Sequence, residues 1–482
     1  MKKKGLIISL FLGLSLALSL PIIHQISNAG YAYSYSSRIE KYRLQAIDSL
    51  VEVDLSLYRD TQKEELTSLR NETINKINSS EDYNEIDAIV SSFNRYILTI
   101  KTDEQFTIEE AEAAQEETDV YYISSLDDLL EFRDDVNDGY SYKGDTVILT
   151  ENIVIPSGFA FGNPIGYTDA KPFSGTFDGN GHSISGFTIS GDNAMGLFSR
   201  LTNGTVKNLN MIDVTVTTQT QRSSGLVARM QGATIENCHI LSGTLNGLKE
   251  NGGLVGVAVG EGNVISNCSN KANISAPSVP STTYGGNGGI VGLVFSGSLT
   301  VDSCRNEGNI TGKKEGNAGI VGFSAATPTA ITITNCSNAG TISGAAHGTG
   351  GIFGAHTDNS SMVLTISGCE NYGSITGANH VGGVAGLPRA SSTDSKIINC
   401  KNYGNVSGTG TYVGGIVSRA RIAVIDCGCL STVTLTCGAT VKLASECLNT
   451  GLGSSANPGF ICTVLDTSGN YHGSVTGGYL FD

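Results

Sequence analysis

Gly289-Ile290-Val291-Gly292, followed by Cys304-Arg305-Asn306-Glu307-Gly308-Asn309-Ile310-Thr311-Gly312, is one copy of a two-part phrase that recurs through this chain. The first part returns at 253–256, 319–322, 351–354 and 383–386, with looser versions opening at Gly196, Gly225 and Gly415. The leading glycines 196, 225, 253, 289, 319, 351, 383 and 415 are 29, 28, 36, 30, 32, 32 and 32 residues apart. A fixed period of this size marks a stacked repeat architecture. Each repeat offers three short strands, read here as 289–295, 299–303 and 309–311, with Gly- and Asn-rich corners between them. Strands so short form no stable sheet alone. Stacking coils about 4.8 Å apart gives each strand a ladder on both sides and a shared core. The expected fold is mainly β: a stacked solenoid of about 30 residues per rung, with a small helical bundle before it.

Composition agrees. Gly contributes 61 of 482 residues and Trp none, as tight turns and short strands require. The formal net charge of -15 disfavours nucleic acid and anionic membranes as partners.

Five segments follow from the chain order. Lys2, Lys3 and Lys4 precede an apolar run from Gly5 to Ile23 and then small residues, the order of a secretory signal. Residues 1–32 are therefore read as a signal peptide cut after Ala29 or Ala32, a retained N-terminal anchor being the alternative. The tail carries no sorting motif. Residues 36–102 carry three helical stripes, the last through Ile86, Ile89, Val90, Phe93, Ile97 and Ile100, with its start at Ser80-Glu81-Asp82. An acidic linker spans 103–118, where Glu109, Glu110, Glu112, Glu116 and Glu117 crowd together. The β-helix spans 119–430, opened by a capping helix from Ser125 through Leu129 and Phe132 to Val136. Residues 431–482 form an irregular cap containing cysteines.

Two resemblances add to this. The stretch Phe173-Ser174-Gly175-Thr176-Phe177-Asp178-Gly179-Asn180-Gly181-His182 ahead of the repeats resembles the GLUG repeats of bacterial surface proteins. The likeness covers roughly 120–430. It implies a right-handed parallel β-helix on an extracellular protein and no particular activity. Tyr58-Arg59-Asp60, Gln62, Glu65-Leu66 and the closing Ile100-Lys101-Thr102-Asp103 resemble the three-helix modules of Gram-positive surface proteins.

Two columns recur once per coil. Cys238, Cys268, Cys304, Cys336, Cys369, Cys400 and Cys427 lack the paired spacing and His partners of a metal site. They are read as small buried apolar residues, because Leu209 fills the same slot one coil earlier; disulfides between coils are the alternative. For the tail cysteines, Cys429, Cys437, Cys447 and Cys462, a disulfide stays open. Asn270, Asn306, Asn338, Asn371 and Asn402 are expected to hydrogen-bond along the stack, with a ligand-binding amide row as the alternative.

Catalytic signals are thin. Asp178, Asn180 and His182 form the densest polar cluster but lack the acidic series of a calcium loop, so they read as an entry turn. No His-Glu-x-x-His occurs. Arg229, Lys313, Lys314, Arg389, Arg419 and Arg421 read as scattered solvated corners. No catalytic, cofactor-binding or metal-ligating residue is assigned, and no cofactor is expected. The expected function is that of a secreted or cell-surface adhesin or spacer, monomeric, binding host-surface or glycan ligands. Its contacts would be carried by loops at 325–330 and 356–362. A polysaccharide-degrading enzyme and a structural surface-layer component are the alternatives.

Overall fold

A computed structural model describes residues 35–107, 118–192, 194–219, 222–277, 285–357, 361–390, 392–410, 412–418, 422–447, 475–476 and 479–481. The chain divides into two units between Glu116 and Glu117. The predicted signal segment and most of the acidic linker lie outside the described residues.

The first unit holds α1 (Tyr35–Val51), α2 (Asp60–Ser79) and α3 (Tyr83–Ile97). Residues spaced at helical intervals meet in its core: Ile39, Leu50, Ile77, Ile86 and Phe93 are buried together. The α3 start is set by Asp82, whose carboxylate accepts from the amides of Asn84 at 2.7 Å and Glu85 at 3.0 Å. Ser80, expected to serve there, is buried, and its carbonyl accepts instead from the Arg43 guanidinium.

The second unit is a parallel β-solenoid of about 31 residues per turn. Its described strands form sheets of 17, 11, 10 and 6 strands, here called A, B, C and D. One coil runs from Asn317–Ala318 in sheet D through Val321–Thr334 in A and Ser337–Asn338 in B to Ile342–Gly344 in C. The next coil repeats the path in register, as Asn306↔Asn338 and Ile310↔Ile342 show for the coil before. Two differences from the sequence reading appear. A fourth, two-residue strand precedes the glycine phrase, and the first two predicted strands can run on as one, as in Val291–Asp302.

Each coil sends one set of apolar side chains inward. Ile290, Val291, Val294, Leu299, Val301, Cys304 and Ile310 come from a single turn and join one continuous core. Leu126–Asp138, here α4, adds Leu129, Phe132 and Val136 to that core, with the Phe132 ring against Phe173 and Phe177. Ser125 caps its start through the Asp128 amide, and Gly139, at φ 116°, ends it.

The corner ahead of each Cys needs a left-handed residue. Asn237, Asn267, Ser303, Asn335, Gly368, Asn399 and Asp426 hold it, with φ between 49° and 62°. Asn and Gly tolerate that region, which explains the recurrent Asn-Cys pair. The glycine phrase has another cause: a Cβ on Gly289 would overlap the Gly319 carbonyl and the Asn306 side chain. Neighbouring coils approach too closely there for any side chain.

Past the last cysteine of the column, Thr434–Cys437 continues sheet C. Its outer edge is covered by Thr440–Leu443, the one antiparallel pairing among the named strands. This short hairpin strand takes over the edge of the parallel sheet. Val475–Thr476 and Tyr479–Phe481 extend sheets A and B.

Candidate functional site

The interior columns are structural. The nine described thiols from Cys238 to Cys437 are buried, and none of them is in a disulfide. Cys304 Sγ donates to the Asp302 carbonyl at 3.2 Å, and its amide donates to Cys336 Sγ at 3.4 Å. Burial is the leading cause that pushes the Cys268 and Cys336 thiols well above their ordinary value, which suppresses thiolate chemistry. Cys429 and Cys437 of the tail are in no disulfide either; the Cys447 side chain and Cys462 lie outside the described residues.

The amide column is a ladder. Asn270, Asn306, Asn338, Asn371 and Asn402 are fully buried, and each Nδ2 donates to the next Oδ1 at 2.8–2.9 Å. The second amide hydrogen goes to a carbonyl two residues on, such as Gly340 for Asn338. Burial removes this row as a ligand surface. At the end of the ladder Cys429 occupies the slot, and Asn402 Nδ2 reaches its Sγ at 3.7 Å. A shorter second ladder, unforeseen in the sequence, runs in sheet D from Ser223 through Asn251 and Asn287 to Asn317.

The entry cluster is a turn. Asn180, at φ 51°, donates its amide to Asp178, which also accepts from Asn208 at 3.0 Å and faces Lys207 at 3.4 Å. Burial pushes the Asp178 carboxyl up, but those hydrogen bonds and the Lys207 charge prevail and hold it below its usual value. The His182 amide donates to the Gly179 carbonyl at 2.7 Å, which closes the turn.

The loops expected to carry contacts are placed otherwise. Residues 325–330 lie within the strand Val321–Thr334, paired to Val291–Asp302 across two register shifts. The left-handed Gly297 opposite Pro328 admits the extra residues, so a Pro-containing stretch is absorbed as a bulge. In 356–362, His356 and Met362 are buried, with His356 Nδ1 3.1 Å from Ser324 Oγ; residues 358–360 lie outside the described residues. Arg229 is not a free corner. It pairs with Asp169 at 2.7 Å, as does the buried Arg200 of the preceding rung at 2.5 Å. Arg419 and Arg421 fall outside the described residues.

Two further surfaces emerge. Val257, Leu293, Phe323, Ala355 and Leu387 stack on the outer side of sheet A yet are buried under the turns that enter sheet D, where Gly316 packs on Phe323. On the outer side of sheet B, Tyr372 and Tyr403 stack with ring centroids 4.6 Å apart and planes 13° apart. Both phenols donate to Glu370, at 2.5 and 3.4 Å, which fixes the rings. That bond, aided by burial, pushes the Tyr372 phenol up to about 12. The Cys-x-Asn-Tyr string occurring twice was the available signal. In the helical unit, an open cleft of about 660 Å³ lies between α2 and α3, lined by Glu64, Glu65, Glu72 and Tyr96. Among the described residues, no group of three or more His, Cys, Asp or Glu side chains converges as a metal site, and no helix is long and apolar enough to cross a membrane.

The second unit is thus defined as a parallel β-solenoid with a dry, amide-laced interior and a variable outer face. No family model matches the chain, so the GLUG likeness rests on its motifs alone. A stretch of 102 residues is 36% identical to Halomucin of Haloquadratum walsbyi, covering 20% of this chain. The chain spans about 1% of the length of that curated relative. Among solved structures, the chain is similar to a provisionally assigned immunoglobulin A1 protease from Bacteroides ovatus, at 15% identity and a TM-score of 0.39. That likeness covers 71% of this chain and 84% of the other, and no activity transfers from it.

Proposed function

We propose that the chain is an extracellular binding protein whose solenoid presents ligand-contacting residues on a rigid lattice, in the manner of an adhesin. One observation carries this reading. The inward positions of sheet B repeat as Asn from coil to coil, while the outward positions beside them change freely. Lys271, Glu307, Ala339, Tyr372 and Tyr403 occupy one such outward row. A frame that stays fixed while its exposed row varies suits recognition. The lysine-led apolar N-terminus and the stretch shared with a protein of mucin-type name support an extracellular setting.

The test is an array of glycans and host-matrix proteins probed with the full chain. Saturable binding to a defined ligand is expected. Silence across the array, together with concentration-dependent self-association in sedimentation, would turn the reading toward a surface-layer component.

A further inference from the structure

The outward row of sheet B contains a gap. Backbone amides of Glu307, Ala339, Tyr372 and Tyr403 donate in turn to the carbonyls of Asn270, Asn306, Asn338 and Asn371, which places the four residues on successive coils in one register. Tyr403 covers one face of Tyr372. On the other side stands Ala339, exposed and with only a methyl for a side chain; the next large side chain of the row is Glu307. The walls of this notch are two coils apart, about twice the 4.8 Å strand spacing. Its floor is Ala339 and its neighbour Ser337. The missing layer has the thickness of one ring.

Charge narrows the occupant. Glu307 pairs with Arg305 at 2.9 Å and with Lys271 at 3.6 Å. Glu370, across the notch, accepts both phenols and faces Lys401 at 3.9 Å. Each acid is neutralised, so the walls present balanced, hydrogen-bonding side chains rather than a field for a polyanion or a cation. A pinned aromatic face beside such polar groups suits a ring with one apolar C–H side and a rim of hydroxyls.

We propose that the notch between Tyr372 and Glu307 is a subsite for a neutral pyranose unit of a glycan, stacked on Tyr372 above Ala339. This rests on the reading of the outer face as a binding surface, and adds the ligand class and the residues.

The test is titration calorimetry of the full chain with neutral gluco-, galacto- and N-acetylhexosamine oligosaccharides, with a polyuronate and choline in parallel. Two variants are compared: Tyr372→Ala removes the platform, and Ala339→Tyr fills the notch with a third ring at an exposed position. The wild-type chain is expected to bind a neutral saccharide, and each variant to lose about tenfold or more in affinity, with thermal unfolding of the Ala339→Tyr protein unchanged. Should Tyr372→Ala fail to fold, Ala339→Tyr decides alone. Neutral-saccharide binding retained by the variants overturns the subsite and leaves the binding-surface reading standing. Binding of the polyuronate or choline alone also overturns the subsite. No saccharide binding here, with a silent glycan and matrix array, overturns both.

Discussion

The side-chain amide of Asn306 donates one hydrogen to Oδ1 of Asn338 on the next coil, 2.8 Å away, and the other to the Gly308 carbonyl. Both residues are fully buried, so every partner lost in this row leaves a polar group without water.

Asn338→Ala should therefore cost more than one bond. It strips a donor from the Gly340 carbonyl and from Asn371, and an acceptor from Asn306. A loss of about 2–4 kcal/mol is expected in urea unfolding. A loss below about 0.5 kcal/mol would show that the row does not bear on stability.

Cys429→Asn should extend the ladder by one step. Besides the Gly404 carbonyl, Asn402 Nδ2 now meets a thiol sulfur at 3.7 Å, and an amide oxygen would offer a better acceptor. A gain of about 1 kcal/mol is expected; destabilisation would mean that the last coil cannot admit the larger side chain.

The thiols should stay silent until the coil opens. In a variant carrying Cys447→Ser and Cys462→Ser, native, unreduced protein is expected to react negligibly with an aromatic disulfide reagent, and denatured, unreduced protein to release the nine described thiols. Fewer than nine would indicate disulfides.

Gly289→Ala and Gly262→Ala separate two uses of glycine. The first adds a methyl into the Gly319 carbonyl and Asn306, with no room to yield, and about 3 kcal/mol or more is expected. At Gly262, with φ 77° and open space, only backbone strain is incurred, about 1 kcal/mol. Paired melting curves check the order.

Acid should loosen the entry coils through Asp169. Hydrogen bonding from Arg200, and the charges of Arg200 and Arg229, hold its carboxyl below the usual value against the effect of burial. A folded value lower than the unfolded one, about 3.9, contributes stability that is present above the unfolded pKa. That stability is lost as pH falls through the folded one. Asp169 is 69% exposed, so the effect is small, about 1 kcal/mol at neutral pH. Asp169→Asn should remove it and flatten the acid limb of stability below the unfolded carboxyl value; an unchanged limb would exclude Asp169.

Where a residue type repeats at the same offset, the sequence disclosed the fold. Asn306 and Asn338 share their place after Cys304 and Cys336, and identical neighbours in register must meet. Where the slot varies, it did not. Asn251, Asn287 and Asn317 give way to Thr349, Val381 and Val413, so the second ladder does not stand out as a column. The strand through Pro328 was hidden because it carries the extra residues of two bulges, which break its alternation, and the left-handed Gly297 lies opposite the proline. Phe323 lies outside the main core, and the turn at Gly316 is what buries it. Arg229 and Asp169 meet across 60 residues, a contact no local pattern encodes. The stacked tyrosines were in plain view as a repeated string, yet side-chain stacking follows only once the coil register is known.

Both amide rows hand their hydrogens forward in one direction along the chain, each receiving from the preceding coil and giving to the following one. An interior turn carrying Asn in both slots could be duplicated or excised by recombination without leaving a mismatched neighbour. A turn with Cys in the slot, like that of Cys429, ends the amide row, and the strand stacked beyond it carries Leu480 at that position. The number of Asn-bearing turns can thus change without disturbing the chemistry at either end of the row.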